Sequence, residues 1–99
     1  MSKSICDMPI PALSDIIKAK KLLEKIVKRT DLERSKSFSN MVNAQVYLKL
    51  ENLQSTGSFK IRGAYNHISN LSPEDKERGV LCASAGNHAQ GVAYAATKL

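Results

Sequence analysis

Gly79-Val80-Leu81-Cys82-Ala83-Ser84-Ala85-Gly86-Asn87-His88-Ala89-Gln90-Gly91 is the stretch that decides the fold class. Its first five residues show no polar alternation, the pattern of a strand covered on both faces within a parallel sheet. Ser84–Asn87 is a loop of small residues, and Ala89, Val92, Ala93, Ala95, Ala96 and Leu99 then mark a final helix. Working back from there, Ser72-Pro73-Glu74-Asp75 reads as a helix start, with a capping serine, proline at the first position and acids in the first turn; Gly79 ends that helix. Ile61, Ala64, Tyr65 and Ile68 fall at i, i+3, i+4 and i+7 and predict a helix after the turn-rich run 52–58. Before it, Val46, Leu48 and Leu50 alternate with Tyr47, Lys49 and Glu51, which is strand periodicity. Strand, helix, strand, helix in this order predicts an α/β fold. The pattern stops at Leu99 inside a helix, without a C-cap or a third strand, so residues 1–99 are expected to form only the N-terminal part of a domain.

Residues 1–12 read as an irregular arm. Ser14 or Asp15 can cap a helix whose apolar positions are Leu13, Ile16, Ile17, Ala19, Leu22, Leu23, Ile26 and Val27, a broad face that predicts packing. Residues 30–44 are polar and mixed, with one or two helical turns expected around Ser37–Met41. The net charge of +6 is unevenly spread: residues 1–50 hold ten Lys/Arg against five Asp/Glu, and residues 51–99 hold five against four. Lys18, Lys20, Lys21, Lys25, Lys28 and Arg29 supply most of the excess. They share a segment with a good apolar stripe, so they read as a solvated helix face and not as a nucleic-acid surface, and no aromatic platform accompanies them.

No apolar run approaches the roughly 18 residues that cross a bilayer. Asp7, Pro9 and Pro11 interrupt any signal-like region. Cys6 and Cys82 are too few for a disulfide framework, and Cys82 sits in an apolar run as a small buried hydrophobe. A reducing cytoplasm, with no membrane and no nucleic-acid partner, is the expectation.

Two loop-to-helix junctions hold the chemistry. In Ser55-Thr56-Gly57-Ser58-Phe59-Lys60-Ile61-Arg62, Ser58 is placed to cap the helix, which puts Lys60 in its first turn. The helix dipole disfavours a cation there by about 0.3–1 kcal/mol. The same field, together with burial in a cleft, favours the neutral, nucleophilic amine that Schiff-base chemistry with an aldehyde requires. Neither junction has the Gly-Lys-Ser/Thr of a Walker A loop. The Ser-x-x-Lys hydrolase pattern fails because position 57 is glycine. In Ser84-Ala85-Gly86-Asn87-His88-Ala89-Gln90-Gly91, small residues entering a helix expose backbone N–H groups to a carboxylate or phosphate, and Asn87 adds an amide. Asn87 and His88 break the Gly-x-Gly-x-x-Gly dinucleotide spacing. His88 has no partner at metal-ligand spacing, so no metal is expected.

Taken together, Glu51-Asn52-Leu53-Gln54-Ser55-Thr56-Gly57-Ser58-Phe59-Lys60-Ile61-Arg62-Gly63-Ala64 resembles the pyridoxal-phosphate (PLP) attachment segment of serine/threonine dehydratases. Ser84–Gly91 resembles that family's substrate-and-cofactor loop at the expected distance downstream. The resemblance runs from about Ile16 to the end. It implies PLP fold type II (tryptophan synthase β-like), with an incomplete parallel sheet and flanking helices, as a partial catalytic domain. It also implies a covalent link from Lys60 to PLP, with Phe59 packed on the cofactor and Asn87 bonded to its ring hydroxyl. Ser84, Ala85, Gly86, Asn87 and His88 would line the substrate-carboxylate pocket.

The activity implied is elimination of water from L-threonine, giving 2-oxobutanoate and ammonia, with L-serine as a secondary substrate and a homo-oligomer when full length. Serine racemases of the family carry a second serine where this chain has Ala85, which favours elimination. The wording around Lys60 and the basic N-terminal helix look closest to the catabolic type. Serine dehydratase, serine racemase, a truncated remnant and a basic nucleic-acid-binding module are the alternatives. The family's glycine-rich phosphate cup lies beyond residue 99, so these residues alone are expected to be inactive.

Overall fold

Helix α1, Leu13–Leu23, is the first helix among the described residues, and its first turn shows how the sequence sets a boundary. The computed structural model describes residues 9–99; the first part of the expected N-terminal arm, with Cys6, lies outside the described residues. The cap is Ala12, ahead of the expected Ser14 or Asp15. Asp15 still acts at this end, because its Oδ2 accepts the Ala12 N–H at 2.9 Å, satisfying a donor the helix leaves open. The helix closes through a turn in which Ile26 and Val27 N–H groups both reach the Leu23 carbonyl, at 2.9 and 3.0 Å.

Strand β1 (Leu32–Arg34), helix α2 (Lys36–Val42) and strand β2 (Tyr47–Lys49) follow. The two strands pair antiparallel, with Leu32 opposite Lys49 and Arg34 opposite Tyr47. Sequence periodicity locates β2 but not β1, because Leu-Glu-Arg is too short and too polar to show alternation, and all three residues are exposed. Ser35 caps α2 by accepting the Phe38 N–H at 3.3 Å, and Asn43 ends it in the left-handed conformation at φ 50°. A 3-10 turn over Glu51–Leu53 leads to helix α3, Lys60–Ser69. Helix α4, Pro73–Arg78, is capped by Ser72 and closed by Gly79 as the sequence predicts. Gly79 adopts φ 81°, ψ 179°, a region glycine alone visits freely. Helix α5 spans Asn87–Lys98.

The core is the seam between α3 and α5, with the end of α1 laid across α3. Ala64, Tyr65 and Ile68 from α3, Ala95 from α5 and Leu23 from α1 form one buried cluster, edged by Ile26, Val27, Leu71 and Val92. Ile61 is completely buried. Small residues on both helices let their backbones approach closely, which is what the alanine-rich pattern of α5 provides.

Two expectations are corrected. Val80–Ala83 is not a covered strand: no segment among the described residues runs beside it, Leu81 is 99% exposed, and Cys82 is only half-buried. Without a neighbouring strand, its N–H and C=O groups lack ladder partners and it is not covered on both faces; the one sheet present among the described residues is the β1–β2 pair. The broad face of α1 also packs only at its end. Leu23 is buried, but Leu13, Ile16, Ile17 and Leu22 stand exposed, while Lys18, Lys20, Lys21 and Lys25 are solvated as expected. A radius of gyration of 16.7 Å, against about 13 Å for a compact chain of this length, agrees with that openness.

Candidate active site

The loop before α3 is a stack of small polar residues that fixes where Lys60 begins its helix. Gln54 accepts the Gly57 N–H at 2.8 Å through its carbonyl, and Gly57 turns the chain at φ 72°. A side chain at position 57 would meet nothing within 4 Å, so glycine is required there by backbone conformation, not by space. Thr56 and Ser58, on either side of Gly57, are buried; the Ser58 hydroxyl accepts the Lys60 N–H at 3.3 Å, but the helix cap is Phe59, one residue later than the expected Ser58, and it makes no side-chain capping bond. Lys60 is therefore the first residue of α3. Its Nζ lies 5.2 Å from the centre of the Phe59 ring, and it makes no ion pair with a carboxylate among the described residues. Lys60 and Phe59 are both exposed, so the enclosing cleft expected around the amine is not formed by these residues.

The second junction is equally open. Ser84, Ala85, Gly86, Asn87 and His88 are all exposed. The Gly86 N–H donates to Ser84 Oγ at 3.2 Å, and no side chain caps α5, which starts at Asn87. Its first-turn N–H groups therefore remain available to an anion, with the helix dipole behind them. His88 also lines a cavity of about 530 Å³ with Gly63, His67, Cys82 and Val92, on the flank of α3.

The structure brings the two junctions together through Gly91, one turn into α5. It is buried against the start of α3, where an added Cβ would stand 3.1 Å from the Lys60 carbonyl carbon. Lys60 and Asn87 thus begin two helices that are locked against each other near their N-terminal ends.

A polar cluster behind the lysine loop has no counterpart in the sequence reading. The Glu51 carboxylate, 15% exposed, pairs with Arg62 Nε through one oxygen. Through the other it accepts Thr30 Oγ1 at 3.1 Å and Gln54 Nε2 at 2.8 Å. Gln54, itself buried, joins this to Lys28, whose N–H and carbonyl bond the Gln54 side chain at 3.0 and 2.7 Å. The Arg62 guanidinium, then Gln54 and Thr30, hold the Glu51 carboxyl below the usual carboxylate range, against the opposing effect of burial. Glu51 and Arg62 bracket the loop carrying Phe59 and Lys60, so this pair closes it at the base. The available signal was their position: opposite charges at both ends of a motif, where only the lysine had an obvious role.

Comparison with known proteins gives this arrangement a context. Residues 23–99 match the family model described as pyridoxal-phosphate dependent enzyme. The chain is 58% identical over 84 residues to the L-threonine ammonia-lyase of Thermotoga maritima, covering 85% of this chain and 21% of that protein. It is 47% identical over 93 residues to the catabolic L-threonine dehydratase TdcB of Escherichia coli K12, covering 94% and 28%. Among solved structures it is similar to maize serine racemase, with a TM-score of 0.78, 40% identity, and coverage of 87% and 27%. The serine racemase of Dictyostelium discoideum superposes with a TM-score of 0.78 at 41% identity, covering 87% and 28%. The chain spans about a quarter of the length of the curated relatives it matches.

Proposed function

This chain belongs to the pyridoxal-phosphate dependent enzyme family, and from that premise we propose that the whole protein is an L-threonine ammonia-lyase, converting L-threonine to 2-oxobutanoate and ammonia. The observation that carries the reading is an exposed primary amine on the first residue of α3, held beside the uncapped start of α5. The donor set fits the cofactor. Lys60 offers an amine for the aldehyde, Asn87 an amide for the ring hydroxyl, and Phe59 an exposed apolar ring at the same point. When bound, PLP supplies an electron sink for charge developing at the substrate α-carbon.

The remaining work is done by residues of this chain. The N–H groups of Ser84, Gly86 and His88, with the small side chain of Ala85 and the Asn87 amide between them, receive the substrate carboxylate and fix the face of the α-carbon presented to Lys60. Gly86 gives up its bond to the Ser84 hydroxyl in doing so. Lys60 Nζ, once free, stands at the head of α3 and takes the α-proton as the general base. The α-proton and the β-hydroxyl leave together as water, and the released enamine takes up one water to give 2-oxobutanoate and ammonia. Residues 1–99 then form part of the catalytic domain of a homo-oligomer working in the cytoplasm, with L-serine as a poorer substrate.

A racemase reading has one observation in its favour, the similarity to the serine racemases of maize and Dictyostelium discoideum. Racemisation needs a second proton carrier on the opposite face, and the methyl group of Ala85 carries no exchangeable proton, so elimination is preferred. The test is to fix the whole protein with PLP and borohydride, map the pyridoxyl peptide, and compare turnover of L-threonine, L-serine and D-serine. Pyridoxyl label on Lys60 with L-threonine as the best substrate is the expected result. Label on another lysine overturns the site, and racemisation as the main reaction overturns the activity.

A further inference from the structure

We infer that Gly91 is a positioning residue for Lys60: it lets α5 press directly on the backbone that carries the amine, and so sets the spacing between Lys60 and the Asn87 loop. The inference rests on the proposed role of Lys60. A Cβ at position 91 would lie 3.1 Å from the Lys60 carbonyl carbon, 3.2 Å from the Ile61 nitrogen and 3.2 Å from the Lys60 carbonyl oxygen. These are backbone atoms at the first turn of a helix, so no rotamer change relieves the contact; one helix must move by a few tenths of an ångström relative to the other. Gly57, Gly63, Gly79 and Gly86 have nothing within 4 Å of an added Cβ, so Gly91 alone among the glycines is under steric pressure.

The direction of the movement follows from the packing. Gly91 is buried at the Lys60 end of the seam, while Ala95, completely buried one turn further along α5, packs in the cluster with Ala64, Tyr65 and Ile68. A methyl group at 91 wedges the seam open at the end where Lys60 and Asn87 start their helices and leaves the Ala95 end in place. Displacements of this size at a reacting group lower rate and cofactor affinity far more than they lower stability, because proton transfer and covalent capture depend steeply on geometry.

Ala95→Gly is the control, since it loosens the same seam away from Lys60. For Gly91→Ala in the whole protein, the dissociation constant for PLP added to apo-protein is expected to rise about tenfold or more. The absorption band of the lysine-bound cofactor is expected to shift, and kcat to fall at least tenfold with KM for L-threonine within about twofold. Ala95→Gly is expected to lower the apo-protein melting temperature at least as much as Gly91→Ala, while leaving PLP affinity and band position unchanged. PLP affinity and spectrum for Gly91→Ala within twofold of wild type overturn the inference. So does an equal loss of PLP affinity in Ala95→Gly, or a Gly91→Ala apo-protein that does not fold, since either makes Gly91 a general packing residue. Mapping the borohydride-fixed pyridoxyl group in the wild type separates the two levels: label away from Lys60 defeats the proposed function itself, whereas label on Lys60 with an unaffected Gly91→Ala defeats only this inference.

Discussion

Replacing Glu51 by glutamine tests whether the base of the lysine loop is held by charge. The carboxylate accepts from Arg62, Thr30 and Gln54, and glutamine keeps the shape but offers one acceptor oxygen and places an NH2 group among donors. Hydrogen bonds to charged groups contribute about 1.5–3 kcal/mol, and breaking a fully buried pair costs about 3–5 kcal/mol. The Arg62 side chain is 33% exposed, so water partly resolvates the abandoned guanidinium and the cost falls below the fully buried range, within that of a hydrogen bond to a charged group. A loss of about 2 kcal/mol is therefore expected, with about 3 for Glu51→Ala, which also removes the acceptors of Thr30 Oγ1 and of one Gln54 amide hydrogen. The assay is urea unfolding followed by circular dichroism at pH 7, run as a double-mutant cycle with Arg62→Gln. A coupling energy of about 1–2 kcal/mol between positions 51 and 62 is expected. A Glu51→Gln cost below about 0.5 kcal/mol, or coupling indistinguishable from zero, would refute the reasoning, because the pair would then behave as an ordinary surface contact.

The same carboxylate gives a pH dependence. Its folded-state value is depressed, so its contribution is fully present above the ordinary carboxylate range and is lost as pH falls through the lowered folded value. Wild type should thus lose more stability than Glu51→Gln between about pH 5 and pH 3, measured as the difference in urea midpoints. Gly57→Ala, which puts a Cβ at φ 72°, is expected to cost about 1–2 kcal/mol by the same assay and to reduce borohydride-fixed pyridoxyl on Lys60. Ser72→Ala removes the cap that accepts the Asp75 N–H at 3.1 Å and should cost about 1 kcal/mol, with no change in PLP binding. Residues 1–99 on their own are expected to release negligible 2-oxobutanoate from L-threonine in a coupled assay; turnover near that of ordinary enzymes would overturn the proposed division of the site.

What the sequence discloses about this fold is governed by how local the cause is. Ser72-Pro73 and Gly79 fix α4 because capping and left-handed backbone are decided within a few residues, and the structure agrees at each. The place of Lys60 at the head of α3 is legible for the same reason, although the cap falls on Phe59, one residue after the expected Ser58. The strand expected at Val80–Ala83 is a different kind of inference, from composition to environment. An apolar run states what the segment needs around it, and among the described residues that cover is absent, leaving Leu81 in solvent. The exposed face of α1 repeats the point, since periodicity predicts an apolar surface and not the partner that covers it.

The site divides along the same line. The groups proposed to touch the chemistry lie in two short motifs, and their residue types announce them. The groups that hold those motifs do so across sequence separations that no local pattern encodes: Thr30 reaches Glu51 across 21 residues, and Lys28 reaches Gln54 across 26. Gly91 is a harder case, because its role is an absence, the missing Cβ that lets α5 meet Lys60. Read alone, it is a helix glycine costing about 1 kcal/mol against alanine, which makes it look like a defect in α5. The cost becomes intelligible once α3 is laid against it. A residue that weakens its own helix while tightening that helix's join to α3 acts on the proposed site, although no reading of α5 alone would assign it there.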